Sequence, residues 1–158
     1  MLDRAALGQK KRLDLLLACH ASLAAVSGSL ATLFPHVFGF FFGEQWHGSF
    51  RFNPDDGQVK ITHVVIRLYG SLILGQAFVA WAVRQSADGH LRRGIVRAYC
   101  LVFTLTMLVL LRSHFTDEHW HWFNLANIIL FAGLAAFYGW FCYFSPPPVF
   151  EGLDKAVS

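Results

Sequence analysis

Four apolar runs of near-equal length limit what this chain can become: residues 13–34, 64–83, 95–111 and 122–144. Each holds about 17 to 23 residues, close to the roughly 20 that cross a hydrocarbon core about 30 Å thick. Backbone in lipid has no water to bond, so a spanning segment must satisfy its own N–H and C=O groups, as a helix does. Four such runs in 158 residues leave little chain for a soluble shell. The expected fold class is therefore all-α: one integral membrane four-helix bundle over residues 1–158, with one long loop at 35–63.

Composition agrees. Charged residues are 15% of the chain, against about 25% in soluble domains. The formal charge of +3 is small and the basic residues are spread out, which argues against a nucleic-acid partner. Three cysteines, Cys19, Cys100 and Cys142, all fall in apolar runs and form no CxxC pair, so no disulfide framework or zinc ribbon is expected. Lys10, Lys11 and Arg12 ahead of the first run resemble the lead of a signal peptide. The apolar stretch continues to Phe34, however, which favours a retained helix.

The connections differ in character. The long loop opens with Pro35 and the aromatic stretch at 38–42, too short and too glycine-broken to span but suited to the interface. It then turns polar at Asn53-Pro54-Asp55-Asp56-Gly57. Residues 84–94 form a short basic connection. Residues 112–121 form a short one rich in histidine and acid. Pro146-Pro147-Pro148 ends the last helix.

Four crossings place both ends of the sequence on one side, together with the second connection. That side carries nine of the basic residues and the other side four. The positive-inside rule then makes the basic side cytosolic or equivalent. The far side holds His36, His47, His63, His114, His119 and His121, and five of the ten acids. Trp46, Trp120 and Trp122 mark the far interface, and Trp81 and Trp140 the cytosolic one.

Some polar residues need a reason. Arg67 lies inside the second run, where it either snorkels or pairs with Asp117, Glu118 or Asn124, or else faces a cavity for an anionic headgroup. Asn124, Asn127 and Tyr138 share one helical face, which should point inward because amides need partners in lipid. Arg67, Tyr69, Asn124 and Asn127 are thus the candidate lipid- or ligand-binding residues. His114, His119 and His121, flanked by Asp117 and Glu118, are weaker metal candidates, since their spacing fits no strong motif. His20 alone sits at depth. Ala24, Gly28 and Thr32 in the first run, and Gly70, Ser71 and Gly75 in the second, suit close helix packing within the chain or against a partner.

One stretch resembles a known family. Leu33-Phe34-Pro35, the aromatic segment ending at Gly43, and Ile66-Arg67-Leu68-Tyr69-Gly70 followed by Trp81 look like the p53-inducible protein eleven family of small four-helix membrane proteins. The likeness covers about a third of the chain, between residues 33 and 82. It departs from the family in a very short N-terminal extension and in a His- and Trp-rich third connection. It implies an endomembrane protein linked to growth control, without an assigned reaction, and marks Arg67, Tyr69 and Gly70 as family-type residues.

No nucleophile–base pair, phosphate-cradling glycine loop or haem-like histidine pair is evident. The expectation is a non-enzymatic accessory or scaffold subunit in an endomembrane or organellar membrane. It would have no cofactor, and its partners would be membrane lipids and other membrane subunits. The alternative is a lipid- or anion-binding or transport module with a cavity near Arg67.

Overall fold

The structure is a computed structural model that describes residues 4–37, 57–116 and 122–146. Among these residues there is no strand. Four long helices carry the chain: α1 Arg4–Leu33, α2 Gly57–Gln85, α3 Gly89–Thr116 and α4 Trp122–Tyr143. Each contains a stretch long and apolar enough to cross a membrane: Gly8–Leu33, Lys60–Gln85, Gly89–Thr116 and Leu125–Tyr143. At 1.5 Å rise per residue the shortest of these reaches about 29 Å and the longest about 42 Å, which brackets the hydrocarbon thickness.

Three of the helices outrun the apolar runs that announce them, while α4 matches its run to within a residue. α2 begins at Gly57 rather than 64, and α3 extends from Gly89 to Thr116 rather than 95–111. The apolar run marks only the lipid-compatible section, while helical hydrogen bonding continues through the polar flanks. The start of α3 shows how. The Asp88 carboxylate accepts the His90 N–H at 2.8 Å, and the Asp88 carbonyl accepts the Arg92 N–H at 3.2 Å, which makes Asp88 an N-cap. The second connection thereby shrinks to residues 86–88, and Arg92 and Gly94 become helical. The long loop is trimmed at both ends, since 35–37 are helical and α2 starts at Gly57. His114 belongs to α3 rather than to a loop.

Packing follows a three- and four-residue rhythm. On α1 the buried apolar positions are Leu13, Leu17, Ala21, Ala24 and Ala31, with Gly28 in step. On α3 the buried positions are Gly89, Arg92, Val96, Tyr99 and Phe103. This is the spacing of a seam between long helices. α1 packs along α2 and α3 along α4, while α2 and α3 touch more lightly.

The α1–α2 contact depends on missing side chains. A Cβ on Gly28 would lie 2.8 Å from the Gly70 carbonyl oxygen, and one on Gly70 would lie 2.7 Å from the Thr32 hydroxyl. Both glycines therefore serve packing within the chain. Gly75 does not, since nothing stands within 4 Å of its Cβ position. The core proper draws on all four helices: Leu13, Leu17 and Ala21 of α1, Ala80 and Val83 of α2, Val96, Tyr99 and Phe103 of α3, and Tyr138 and Phe141 of α4. It lies in the half of the bundle nearest the 86–88 connection.

Candidate functional site

Among the described residues, tyrosines aside, the buried polar side chains are His20 and Arg92, 4% and 5% exposed. Each joins helices that are distant in sequence. His20 sits on the α1 seam between Leu17 and Ala21. Its Nδ1 stands 2.8 Å from the Tyr138 hydroxyl on α4. With Nδ1 unprotonated, the phenol is the donor. Tyr99, Phe103 and Tyr138 surround the imidazole edge-on, with ring centroids 4.7, 5.1 and 5.7 Å away. Tyr99 in turn donates its hydroxyl to the Gln76 carbonyl of α2 at 3.0 Å. The cluster thus ties α1, α3 and α4 together and reaches α2.

Arg92 makes the second tie. Its Nη2 pairs with the Asp14 carboxylate on α1. The same nitrogen donates to the Arg84 carbonyl at 3.0 Å, and Nε donates to the Val83 carbonyl at 3.3 Å. Val83 and Arg84 belong to the last turn of α2, where carbonyls run out of helical partners; the Val83 carbonyl also accepts the Ser86 N–H at 3.2 Å. Arg92 therefore caps α2 from α3 while neutralising an acid on α1. The Asp14 side chain is 27% exposed, so the pair sits at the rim of the core.

The residues singled out in the sequence are scattered. Arg67 and Tyr69 are exposed on α2, and Asn127 is half-buried on α4. Asn124 lies on α4, its side chain outside the described part. α2 and α4 form no substantial packed interface, so these residues are not gathered round one cavity by helix packing. Tyr138 does point inward. His114 is half-buried with its ring 5.7 Å from Phe115. His119, His121, Asp117 and Glu118 lie outside the described residues. Among those described, no group of three or more His, Cys, Asp or Glu could hold a metal. At the far end, His36 and His63 bring their rings to 6.3 Å. All three cysteines are free thiols.

At the opposite end, α3 and α4 enclose a groove of about 200 Å³ lined by Arg93, Val96, Arg97, Phe141, Cys142 and Pro146. Close by, the Arg84 guanidinium lies 4.8 Å over the Trp81 ring.

Sequence reasoning overlooked Asp14 and Arg92. The sign was present: Asp14 is an acid inside the first apolar run, behind three basic residues. Arg92 was hidden by its place in a stretch that reads as loop. In comparison with known proteins, no family model, no curated protein and no solved structure matches this chain.

Proposed function

We propose that this chain is a multi-pass membrane protein with four spanning helices, both ends of the sequence on the cytosolic or equivalent side, acting as a non-catalytic accessory or scaffold subunit. The observation that carries this reading is how little of the apolar surface the bundle covers by itself. Only 17–33% of each apolar stretch is buried. Leu15, Val26, Leu72, Phe78, Val109, Ile129 and Phe137 all turn outward with more than half of their surface exposed. Apolar faces of this extent mark contact with lipid or with other proteins. Among the described residues, the buried polar groups join helices to each other. The test is extraction in mild detergent followed by crosslinking and size analysis. Co-migration with a larger assembly is expected, and a clean monomer without crosslinked partners contradicts the accessory role.

A second reading, a lipid- or anion-binding module, draws support from a different observation: two arginines line the groove between α3 and α4. Arg67, exposed on α2, is its far-side candidate. The resemblance around Arg67-Leu68-Tyr69-Gly70 adds the proposal of an endomembrane location. The packing of Gly70 against α1 supplies a physical reason for one residue of that element.

A further inference from the structure

We propose that the groove between the start of α3 and the end of α4 holds the phosphate of an anionic phospholipid headgroup, with Arg97 and Arg93 as its cationic partners. This rests on the membrane-spanning reading, which sets the 86–88 connection at a leaflet surface.

Arg93 and Arg97 are four residues apart and so stand one above the other on one face of α3. Their guanidinium groups can offer several N–H donors to phosphate oxygens. Arg97 is exposed, and it has no hydrogen-bond or ion-pair partner among the described residues. Arg93 is half-buried and already engaged within the molecule, which makes Arg97 the adjustable partner. Among the described residues, two acids at this end of the bundle are committed. Asp14 pairs with Arg92, and Asp88 caps α3. The first turn of α3 has no acid of its own.

The remaining lining fits a lipid better than a soluble anion. Val96 and Phe141 form an apolar wall, being 1% and 8% exposed. Beside it Trp140 stacks on Phe144 with ring centroids 5.0 Å apart, both rings outward. Such aromatics sit at the level where headgroup meets acyl chain. The volume of about 200 Å³ is below the roughly 300–1,000 Å³ of pockets that enclose whole small molecules, and suits a headgroup whose chains stay outside. Basic pockets between helices on the cytosolic side are where anionic headgroups bind.

The test uses the full chain purified in mild detergent, with bound lipid counted by native mass spectrometry. The probes are dioleoyl phosphatidylglycerol and dioleoyl phosphatidylcholine at equal concentration. The wild-type chain should retain the anionic lipid preferentially. Arg97→Gln should lower its retention about fivefold, and Arg93→Gln with Arg97→Gln about thirtyfold, following the roughly 1 kcal/mol per basic residue near an anionic surface. Arg97→Lys should keep most of the retention. Lys10→Gln with Lys11→Gln, an equal charge loss elsewhere on the same side, should leave it unchanged. Equal loss in that control, or none in the arginine variants, overturns the site. Displacement of the lipid by millimolar inorganic phosphate overturns the lipid assignment. Carbonate extraction of the source membranes separates the two levels. A chain that resists extraction but shows no arginine-dependent retention refutes the groove alone, and an extractable chain refutes the spanning reading beneath it.

Discussion

The imidazole of His20 on α1 lies 2.8 Å from the phenol oxygen of Tyr138 on α4, joining residues 118 positions apart. Both are nearly or wholly buried, so neither finds water if the other is removed. Tyr138→Phe keeps the ring and deletes the hydroxyl. It should destabilise the bundle by about 1–2 kcal/mol, between the modest mean for interhelical bonds in membranes and the cost of an unsatisfied buried group. Thermal unfolding in detergent measures this. Adding His20→Leu should recover part of the loss, because the orphaned nitrogen is gone. Strictly additive losses would show that the pair is not coupled.

The glycine contact gives a sharper contrast. Gly28→Ala places a Cβ 2.8 Å from a backbone carbonyl that cannot rotate away, so α1 and α2 must separate. A loss of about 1–3 kcal/mol is expected for such overpacking. Gly75→Ala enters open space and should be neutral or stabilising by about 0.5–1 kcal/mol, through lower chain entropy in a helix. Equal effects at the two positions would contradict the packed α1–α2 seam.

Arg92 serves three acceptors of two kinds, a carboxylate and two backbone carbonyls. Arg92→Leu leaves the Asp14 carboxylate unpaired and the Arg84 carbonyl uncapped, at a cost of about 3 kcal/mol, the low end for breaking a buried pair. Asp14→Asn should cost less, about 1 kcal/mol, since its side chain reaches solvent. The exchanged pair Asp14→Arg with Arg92→Asp should not rescue stability, because a carboxylate at position 92 cannot donate to the Val83 and Arg84 carbonyls. Full rescue by the exchange would reduce the contact to a simple ion pair.

The four helices were legible because lipid-spanning length leaves a mark no other constraint leaves. Their ends were not, because helical hydrogen bonding at Asp88 or Gly57 needs no apolar residue. The small-residue stripe at Gly28 was visible, but its partner was not. Spacing reveals a face, while only the fold selects Gly70 over Gly75 to meet it. His20 stood out by depth, yet Tyr138, the residue that satisfies it, lies at the other end of the chain. Arg67, Tyr69 and Asn127 drew notice as polar residues in apolar runs. Each sits where its own helix places it, and helix pairing decides whether such residues meet. Arg93 was obscured for the same reason as Arg92: a basic stretch reads as loop until the helix is seen to begin at Gly89, and only then does Arg93 fall one turn from Arg97 in the third apolar run.

Side-specific labelling of α3 tests the four-span reading most directly. In a chain freed of Cys19, Cys100 and Cys142 by alanine substitution, Ala87→Cys and Thr116→Cys each introduce one thiol at an exposed position flanking α3. A membrane-impermeant maleimide is applied to sealed vesicles of known orientation, before and after permeabilisation. A four-span bundle predicts labelling of Ala87→Cys from the cytosolic face only and of Thr116→Cys from the opposite face only. Labelling of both from the same face in sealed vesicles would contradict it.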